Sequence, residues 1–286
     1  TLVLGPSTRE LIERGHLSPV RVFAPATQID VCGIAARGGD FKIDDLAAAS
    51  DRPSITGSAI AEYNKLTPGQ QFVAFCVSVA HAEHVAADFR SNGIATETVN
   101  GGMKRDERAS VIARFRSGEL RGVTSCDVIS EGFDLPEINV AILLRPTKST
   151  VIYLQQVGRA MRPGPEKIAT VLDHAGNSTL RHGHPEQDRK WTLAGRDKSK
   201  HGVLNTVVVI RCHTCFCVYR AGPPACPNCG AVNVVVRAPT KQVAGELVEF
   251  TGPADTPEKL RALAKAKGYR PGYIIRRLAA REGCSL

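Results

Sequence analysis

The middle of the chain alternates short apolar runs with longer segments in which apolar residues recur at helical spacing. Residues 72–77 form an apolar run of the length expected for a buried strand, and residues 79–90 follow with helical periodicity. The same alternation predicts strands at 96–99, 122–129, 140–144 and 168–172 and helices at 105–115 and 150–161. Strands joined by helices of this length predict crossover connections, and therefore an α/β fold whose parallel sheet has helices on both faces.

The segments on either side of this core predict further units. Residues 1–70 are interpreted as a lead-in and the start of the core domain, with helices at 8–14 and 59–65 and a strand at 21–24. Residues 71–200 form the domain core, within which 174–199 is a polar connecting segment. The rest of the chain divides into a β-type unit at 203–237, a linker at 238–256 and a basic helical tail at 257–286.

The charge of the chain favours a polyanionic partner. Its 286 residues carry 37 Lys and Arg against 28 Asp and Glu, which gives a formal net charge of +9. Such a balance is typical of proteins that bind nucleic acid. The apolar runs are shorter than a membrane-spanning helix requires, so no membrane association is expected. Because the chain begins at Thr1 and not at a methionine, we expect it to start within a longer protein.

Five of the nine cysteines cluster in the β-type unit. Cys212 and Cys215 form one C-x-x-C pair, and Cys226 and Cys229 form a second pair after a ten-residue gap. Two such knuckles place four thiolates around one Zn²⁺, and a zinc ion with four sulfur ligands is structural because it has no open position for water. Cys217 could replace Cys215 as a ligand. The odd cysteine total and the paired spacing also indicate a reducing, cytoplasmic compartment and not disulfides.

The role of this zinc ribbon is open between a scaffold and a nucleic-acid contact. A bound metal can replace a core that is too small to form alone, which favours the scaffold. Tyr219 and Arg220, near the predicted hairpin tip, are suited to a secondary contact with bases or phosphates. Polar residues of the connecting segment lack the spacing of a second metal site, and we favour a structural or linker role for them: His174, His182, His184 and Asp188.

The helix predicted at 150–161 carries an unusual polar pattern. Gln155, Arg159 and Arg162 occur as Q-x-x-G-R-x-x-R, and the three-residue spacing places both guanidinium groups on one helix face. A face of this kind is poorly suited to a protein core and well suited to binding an anion.

The pattern and the stretches before it resemble the C-terminal motor domain of superfamily 2 helicases of the DEAD/DEAH type. The succession comprises Ser78 after the first core strand, the loop 100–108, the stretch 124–136 and the segment 145–149. Shorter stretches resemble more narrowly the RadD-like group of phage and bacterial DNA-repair helicases, namely residues 5–7, 15–19 and 172–177. The resemblance implies a RecA-like parallel sheet flanked by helices, in a protein encoded by a bacterium or phage.

The resemblance also implies roles in nucleotide binding. Arg159 and Arg162 would contact the γ-phosphate of ATP as arginine fingers, and Gln155 would help to order the nucleotide. Gly132 and Asp134 would lie against the ribose. Taken alone, this pair is more commonly explained by local chemistry, as a turn glycine followed by a capping aspartate.

Four further residues would face the backbone of a nucleic acid by the same resemblance: Ser78, Cys126, Thr147 and Ser149. The hydroxyl residues precede helices, where the unpaired amides of a first turn can meet a phosphate. A plain helix cap explains these hydroxyl residues as well. Many family members carry threonine at the position of Cys126, and a thiol is a poorer hydrogen-bond donor to phosphate.

The chain lacks two motifs that such motors use to hold phosphate and magnesium. It contains no G-x-x-x-x-G-K-[ST] sequence and no Asp-Glu pair directly after a strand. We therefore expect ATP and Mg²⁺ to be shared with an N-terminal RecA-like domain, and this chain alone to be inactive. The expected function is the C-terminal half of an ATP-dependent DNA helicase or translocase. The alternative is a non-catalytic zinc-ribbon module that binds nucleic acid or protein on a RecA-like scaffold.

Overall fold

The computed structural model describes residues 3–25, 28–126, 138–189, 191 and 209–233. The chain separates into two compact units, Thr1–Val234 and Val235–Leu286. The second unit lies outside the described residues, and so do the predicted linker at 238–256 and the predicted basic tail at 257–286. None of the described helices has the length and apolar character needed to cross a bilayer.

The alternation of strands and helices predicted for the core is confirmed. The helices are α1 Thr8–Glu13, α2 Ile43–Ser50, α3 Pro53–Leu66, α4 Val79–Ser91, α5 Arg105–Arg116 and α6 Thr150–Ala160. The strands are β1 Val20–Phe23, β2 Ala36–Arg37, β3 Asp40–Phe41, β4 Phe72–Phe75, β5 Thr96–Val99, β6 Gly122–Ser125, β7 Val140–Leu143, β8 Ala169–Asp173, β9 Val209–Arg211 and β10 Cys217–Arg220. A short π-helical turn, Asn177–Arg181, follows β8.

Eight of these strands form one sheet in the order β5-β6-β4-β7-β8-β1-β10-β9. The six strands from β5 to β1 pair in parallel, as the RecA-like fold requires. Every residue of β4, β6 and β7 is buried, because helices cover both faces of a parallel sheet. β2 and β3 form a separate hairpin. Neither this hairpin nor α2 was expected from the sequence.

The two faces of the sheet have separate apolar cores. Along β4, Phe72 and Ala74 belong to the core that contains residues of α3 and α4, whereas Val73 and Phe75 belong to the core that contains residues of α5 and α6. Phe72 lies at the centre of an aromatic cluster, with ring centroids 4.8 Å from Tyr63 and 4.6 Å from Phe89. The alternation along β4 follows from the two-residue period of a strand.

The cysteine-rich hairpin extends the main sheet. β10 pairs antiparallel with β1, with Val22 opposite Val218 and Phe23 opposite Cys217, and β9 then pairs with β10. Val218 is in the same apolar core as Val22, and Tyr219 is in the same core as Phe23. Because β10 covers the side of β1 that β8 leaves unpaired, the hairpin protects an edge that would otherwise be exposed.

Candidate functional site

The first part of the candidate site lies where parallel strands end. The carboxyl ends of such strands form the edge at which α/β proteins bind ligands. Ser78 follows β4 and Cys126 follows β6, and the Cys126 thiol donates to the Val77 carbonyl oxygen at 3.2 Å. Ser78 and Cys126 are therefore neighbours on this edge, and their contact with nucleic acid stays a prediction. Burial raises the pKa of the Cys126 thiol, so this side chain is an uncharged donor at neutral pH.

The serines that precede helices at this edge are helix caps. The Ser78 hydroxyl accepts a hydrogen bond from the His81 amide at 3.1 Å, at the start of α4. The Ser149 hydroxyl accepts one from the Ile152 amide at 3.4 Å, at the start of α6. The local capping explanation is thus confirmed for both, and a contact with phosphate stays a prediction for both.

Thr147 is held inside the protein. Its side chain is fully buried, and its hydroxyl donates to Asp40 Oδ2 at 2.8 Å and accepts from the Ser149 amide at 3.0 Å. Asp40 belongs to β3, far from Thr147 in the sequence, so sequence reasoning missed this partner. The predicted contact of Thr147 with nucleic acid would have to compete with these internal hydrogen bonds.

The predicted connecting segment, where the structure describes it at residues 174–189, begins with a packed turn after β8. Asp173 accepts hydrogen bonds from the amides of Asn177 at 3.1 Å and Ser178 at 2.5 Å. The Asn177 side chain donates to the Arg145 carbonyl oxygen at 3.0 Å and accepts from the Thr147 amide at 3.1 Å. Burial raises the pKa of Asp173, while the hydrogen bonds from Ser178 and Asn177 oppose that shift. Polar residues are buried here because each is hydrogen-bonded, a pattern that composition alone does not distinguish from a loop.

His182, which follows the π-helical turn, contacts the first turn of α6 and the loop before it. Its ring stacks on Tyr153 with centroids 5.1 Å apart, and its Nε2 lies 2.9 Å from the Thr147 carbonyl oxygen. Its Nδ1 lies 3.2 Å from the Thr150 hydroxyl. Both ring nitrogens thus have protein partners, which agrees with the structural role favoured for this histidine. In the described parts of the chain, no group of three or more possible metal ligands includes a histidine.

The arginines lie at the end of α6. The helix ends at Ala160 with Met161 as its C-cap, so Arg159 is in the last turn and Arg162 lies just beyond it. Both side chains are half-buried, while Gln155 is exposed. The prediction that both arginines lie on the helix is therefore correct for Arg159 and wrong for Arg162.

Two residues hold the backbone at this helix end. The Ser18 hydroxyl donates to the Arg162 carbonyl oxygen at 3.1 Å, and the Ser18 amide donates to the Met161 carbonyl oxygen at 2.7 Å. The Lys167 ammonium donates to the same Arg162 oxygen at 2.9 Å. Burial and the nearby Arg162 charge lower the pKa of Lys167 to about 8. These contacts fix the backbone that carries Arg162.

The predicted ribose residues, Gly132 and Asp134, lie outside the described residues.

The four predicted zinc ligands converge. The sulfur atoms of Cys212, Cys215, Cys226 and Cys229 all lie within 4.8 Å of one another. Cys212 and Cys229 are separated by 3.6 Å, and Cys215 and Cys226 by 3.7 Å. A tetrahedral ion with Zn–S bonds of about 2.3 Å requires sulfur separations of about 3.8 Å, so the donor set fits zinc. Cys217 is not in this group. It lies in β10 with its side chain in the apolar core, and burial raises the pKa of its thiol to about 12.

The environment of Tyr219 corrects one expectation about the ribbon. Tyr219 is buried, and its hydroxyl donates to the side-chain oxygen of Asn233. It is therefore not available to stack on bases, whereas Arg220 is exposed.

Gly230 follows the second knuckle at φ 73°, where its amide donates to the Cys226 carbonyl oxygen at 2.8 Å. The left-handed conformation explains why glycine is suited to this position.

The central part of the chain matches a known family. Residues 57–164 match the family described as the helicase conserved C-terminal domain. The matched segment contains the strand-end residues Ser78 and Cys126 and both Arg159 and Arg162, whereas the cysteine cluster lies outside it.

Several proteins are similar to more of the chain than this segment. A 51.5 kDa protein of Lactococcus phage (isolate 7-9) is 31% identical over 231 residues, which are 80% of this chain and 50% of that protein. IRC3 of Saccharomyces cerevisiae, named as a candidate ATP-dependent helicase, is 27% identical over 175 residues, or 60% of this chain and 25% of that protein. The chain thus spans about half the length of the phage relative and a quarter of the yeast one.

A solved structure of the E. coli DEAD-box protein SrmB is 16% identical with a TM-score of 0.42. The similarity covers 58% of this chain and 89% of that chain.

Proposed function

We propose that this chain is the C-terminal motor half of an ATP-dependent helicase or translocase that acts on DNA. The observation that carries the proposal is the match of residues 57–164 to the helicase conserved C-terminal domain, with Arg159 in the last turn of α6 and Arg162 just beyond it. The net charge of +9 supports a nucleic-acid partner. The greater length of both relatives is consistent with a second motor domain elsewhere in the protein.

In this mechanism the chain supplies positive charge to a nucleotide site that two domains share. Arg159 and Arg162 contact the γ-phosphate when the domains close and stabilise the charge that develops during transfer. Arginine fingers of this kind contribute about a thousandfold to a hundred-thousandfold in rate. Gln155 orders the nucleotide, and Gly132 and Asp134 hold the ribose. Magnesium, held by the partner domain, would neutralise charge on the β- and γ-phosphates.

The nucleic acid runs along the carboxyl edge of the sheet. Ser78 and Cys126 lie together there, and the backbone amides in the first turn of α4 point toward the helix start at Ser78. Amides at a helix start favour a phosphate because of the helix dipole and because they have no partner within the helix. The Cys126 thiol, kept protonated by burial, can donate to a phosphate oxygen more weakly than a threonine would. Ser149, Thr147 and the loop around them continue this track.

Zinc is the structural metal of the ribbon in this proposal. The sulfur separations of 3.6 and 3.7 Å support four-thiolate coordination. Bound zinc would hold the two knuckles together and thereby hold β10 against β1. Four thiolates leave no coordination position for substrate, so the metal takes no part in the reaction.

ATP hydrolysis in two proteins tests the proposal. The first is this chain alone, and the second is a longer protein that also contains an N-terminal RecA-like domain. We expect hydrolysis only in the longer protein, with stimulation by single-stranded DNA greater than by RNA of the same sequence. If only RNA stimulated ATP hydrolysis, the nucleic-acid partner would be RNA and not DNA. Nucleic-acid binding without ATP hydrolysis in the longer protein would favour the non-catalytic binding module.

A further inference from the structure

The β2–β3 hairpin makes an unexpected set of contacts with the loop before α6. The hairpin belongs to neither the eight-stranded sheet nor its helical layers. Its residue Asp40 nevertheless contacts Arg145, Thr147 and Lys148, which connect β7 to α6. The carboxylate of Asp40, in the N-terminal part of the chain, thus binds the loop that leads into α6.

Both oxygens of Asp40 accept hydrogen bonds from this loop. Oδ1 accepts from the Lys148 amide at 2.6 Å and from its own neighbour Phe41 at 2.9 Å. Oδ2 accepts from the Thr147 hydroxyl at 2.8 Å and lies 3.8 Å from the Arg145 guanidinium. The side chains of Asp40 and Arg145 are only 19% and 10% exposed, so water screens this charge weakly.

The contacts continue from Asp40 into α6. The Thr147 hydroxyl that donates to Asp40 also accepts from the Ser149 amide, and Ser149 caps the helix. The neighbouring Phe41 extends the same interface, because the Lys148 ammonium lies 4.5 Å from the centre of its ring. One residue of the hairpin therefore fixes the loop by charge and hydrogen bonding, and the next fixes it by a cation–π contact.

We propose that Asp40 is a positioning residue that holds the 145–149 loop and α6 in the orientation needed by Arg159 and Arg162. The inference rests on the proposed function, since it assigns Asp40 a role in that same shared site. Asp40 touches neither substrate nor nucleic acid. It acts on the arginines through the 145–149 loop and α6, which starts at that loop. An error of about 1 Å in the placement of a catalytic group can cost a hundredfold in rate.

Asp40→Asn tests this role in the longer protein that contains both motor domains. Asparagine keeps the shape but has one acceptor oxygen, so one of the loop donors loses its partner. We expect kcat for DNA-stimulated ATP hydrolysis to fall about tenfold or more while KM for ATP changes less than about threefold. Asp44→Asn is the matched control, because the substitution removes the same charge from a side chain that is exposed at the start of α2. We expect it to retain the kcat of the unmodified protein.

Hydrogen exchange of this chain provides a second measurement. In Asp40→Asn the Lys148 and Ser149 amides should exchange about tenfold faster or more, while amides of β4 keep their rates. Normal kcat in a folded Asp40→Asn protein would overturn the inference and leave the proposed function intact. An Asp40→Asn protein that is less stable but has a normal kcat per folded molecule would also overturn the inference. Absence of ATP hydrolysis in the unmodified longer protein would overturn the proposed function, and the inference with it.

Discussion

Buried His174 should make the stability of the chain depend on pH. Its side chain is 3% exposed, next to a cavity of about 10 Å³ that Glu62 and Phe216 also line. Within the described structure its Nε2 has no hydrogen-bond partner. Burial lowers the pKa of His174 from 6.5 to about 4. The folded protein therefore keeps this ring neutral under conditions in which the unfolded chain protonates it.

The sign and size of the effect follow from the two pKa values. Because the folded pKa is the lower one, the contribution to stability is complete above pH 6.5 and is lost as the pH falls toward 4. Between about pH 7.5 and about pH 5 the unfolded chain gains nearly one proton at this position, and the difference corresponds to about 2 kcal/mol. The full separation of the two pKa values corresponds to about 3 kcal/mol.

Urea unfolding at these two pH values tests this estimate for the chain and for His174→Gln. The unmodified chain should lose about 2 kcal/mol more than His174→Gln on acidification. Comparing the two losses removes contributions common to both proteins, including acid release of metal from thiolates. His16→Gln, in the exposed turn after α1, should lose as much as the unmodified chain. Equal losses for the chain and His174→Gln would refute the reasoning, because they would mean that His174 protonates in the folded state.

Two further pairs of substitutions test the metal site and the packing of the sheet. Metal analysis of reduced protein should find about one zinc per chain, which Cys226→Ser should abolish and Cys217→Ser should retain; zinc loss in both would contradict the ligand assignment. Gly122→Ala would place a Cβ 2.1 Å from the ring of Phe72. Denaturant unfolding should therefore show a free energy of unfolding that is lower by about 1–3 kcal/mol. Gly57→Ala, on the exposed face of α3, should instead add about 0.5–1 kcal/mol, and a larger loss there than at Gly122 would contradict the packing described.

The local pattern of the sequence was sufficient to predict the core elements and the convergence of the four cysteines. The apolar residues of α6 at Tyr153, Val157 and Ala160 repeat with helical spacing and are all buried. The paired cysteine spacing predicted the four sulfurs that converge. Both signals arise within a few residues, so periodicity and knuckle spacing record them directly.

Long-range pairing could not be predicted in the same way. β1 pairs with β8 and β10, both distant in sequence, and a four-residue strand contains no information about its partners. The two-residue strands β2 and β3 are too short to show a period. Asp40 follows two glycines and is typical of a turn by local chemistry, while its partner Thr147 lies 107 residues away. These contacts are specified by the packed fold and not by any local segment.

ATP hydrolysis by Arg159→Ala and Arg162→Ala proteins tests the shared nucleotide site most directly. The assay uses the longer protein with saturating single-stranded DNA, and Arg116→Ala, on an exposed residue in the last turn of α5, controls for the loss of a positive charge. If both arginines reach the γ-phosphate, each substitution should lower kcat by about a thousandfold or more while DNA binding and Arg116→Ala activity remain normal. Hydrolysis within about twofold of the unmodified protein in both variants would contradict the account, because such rates leave no role for arginine fingers.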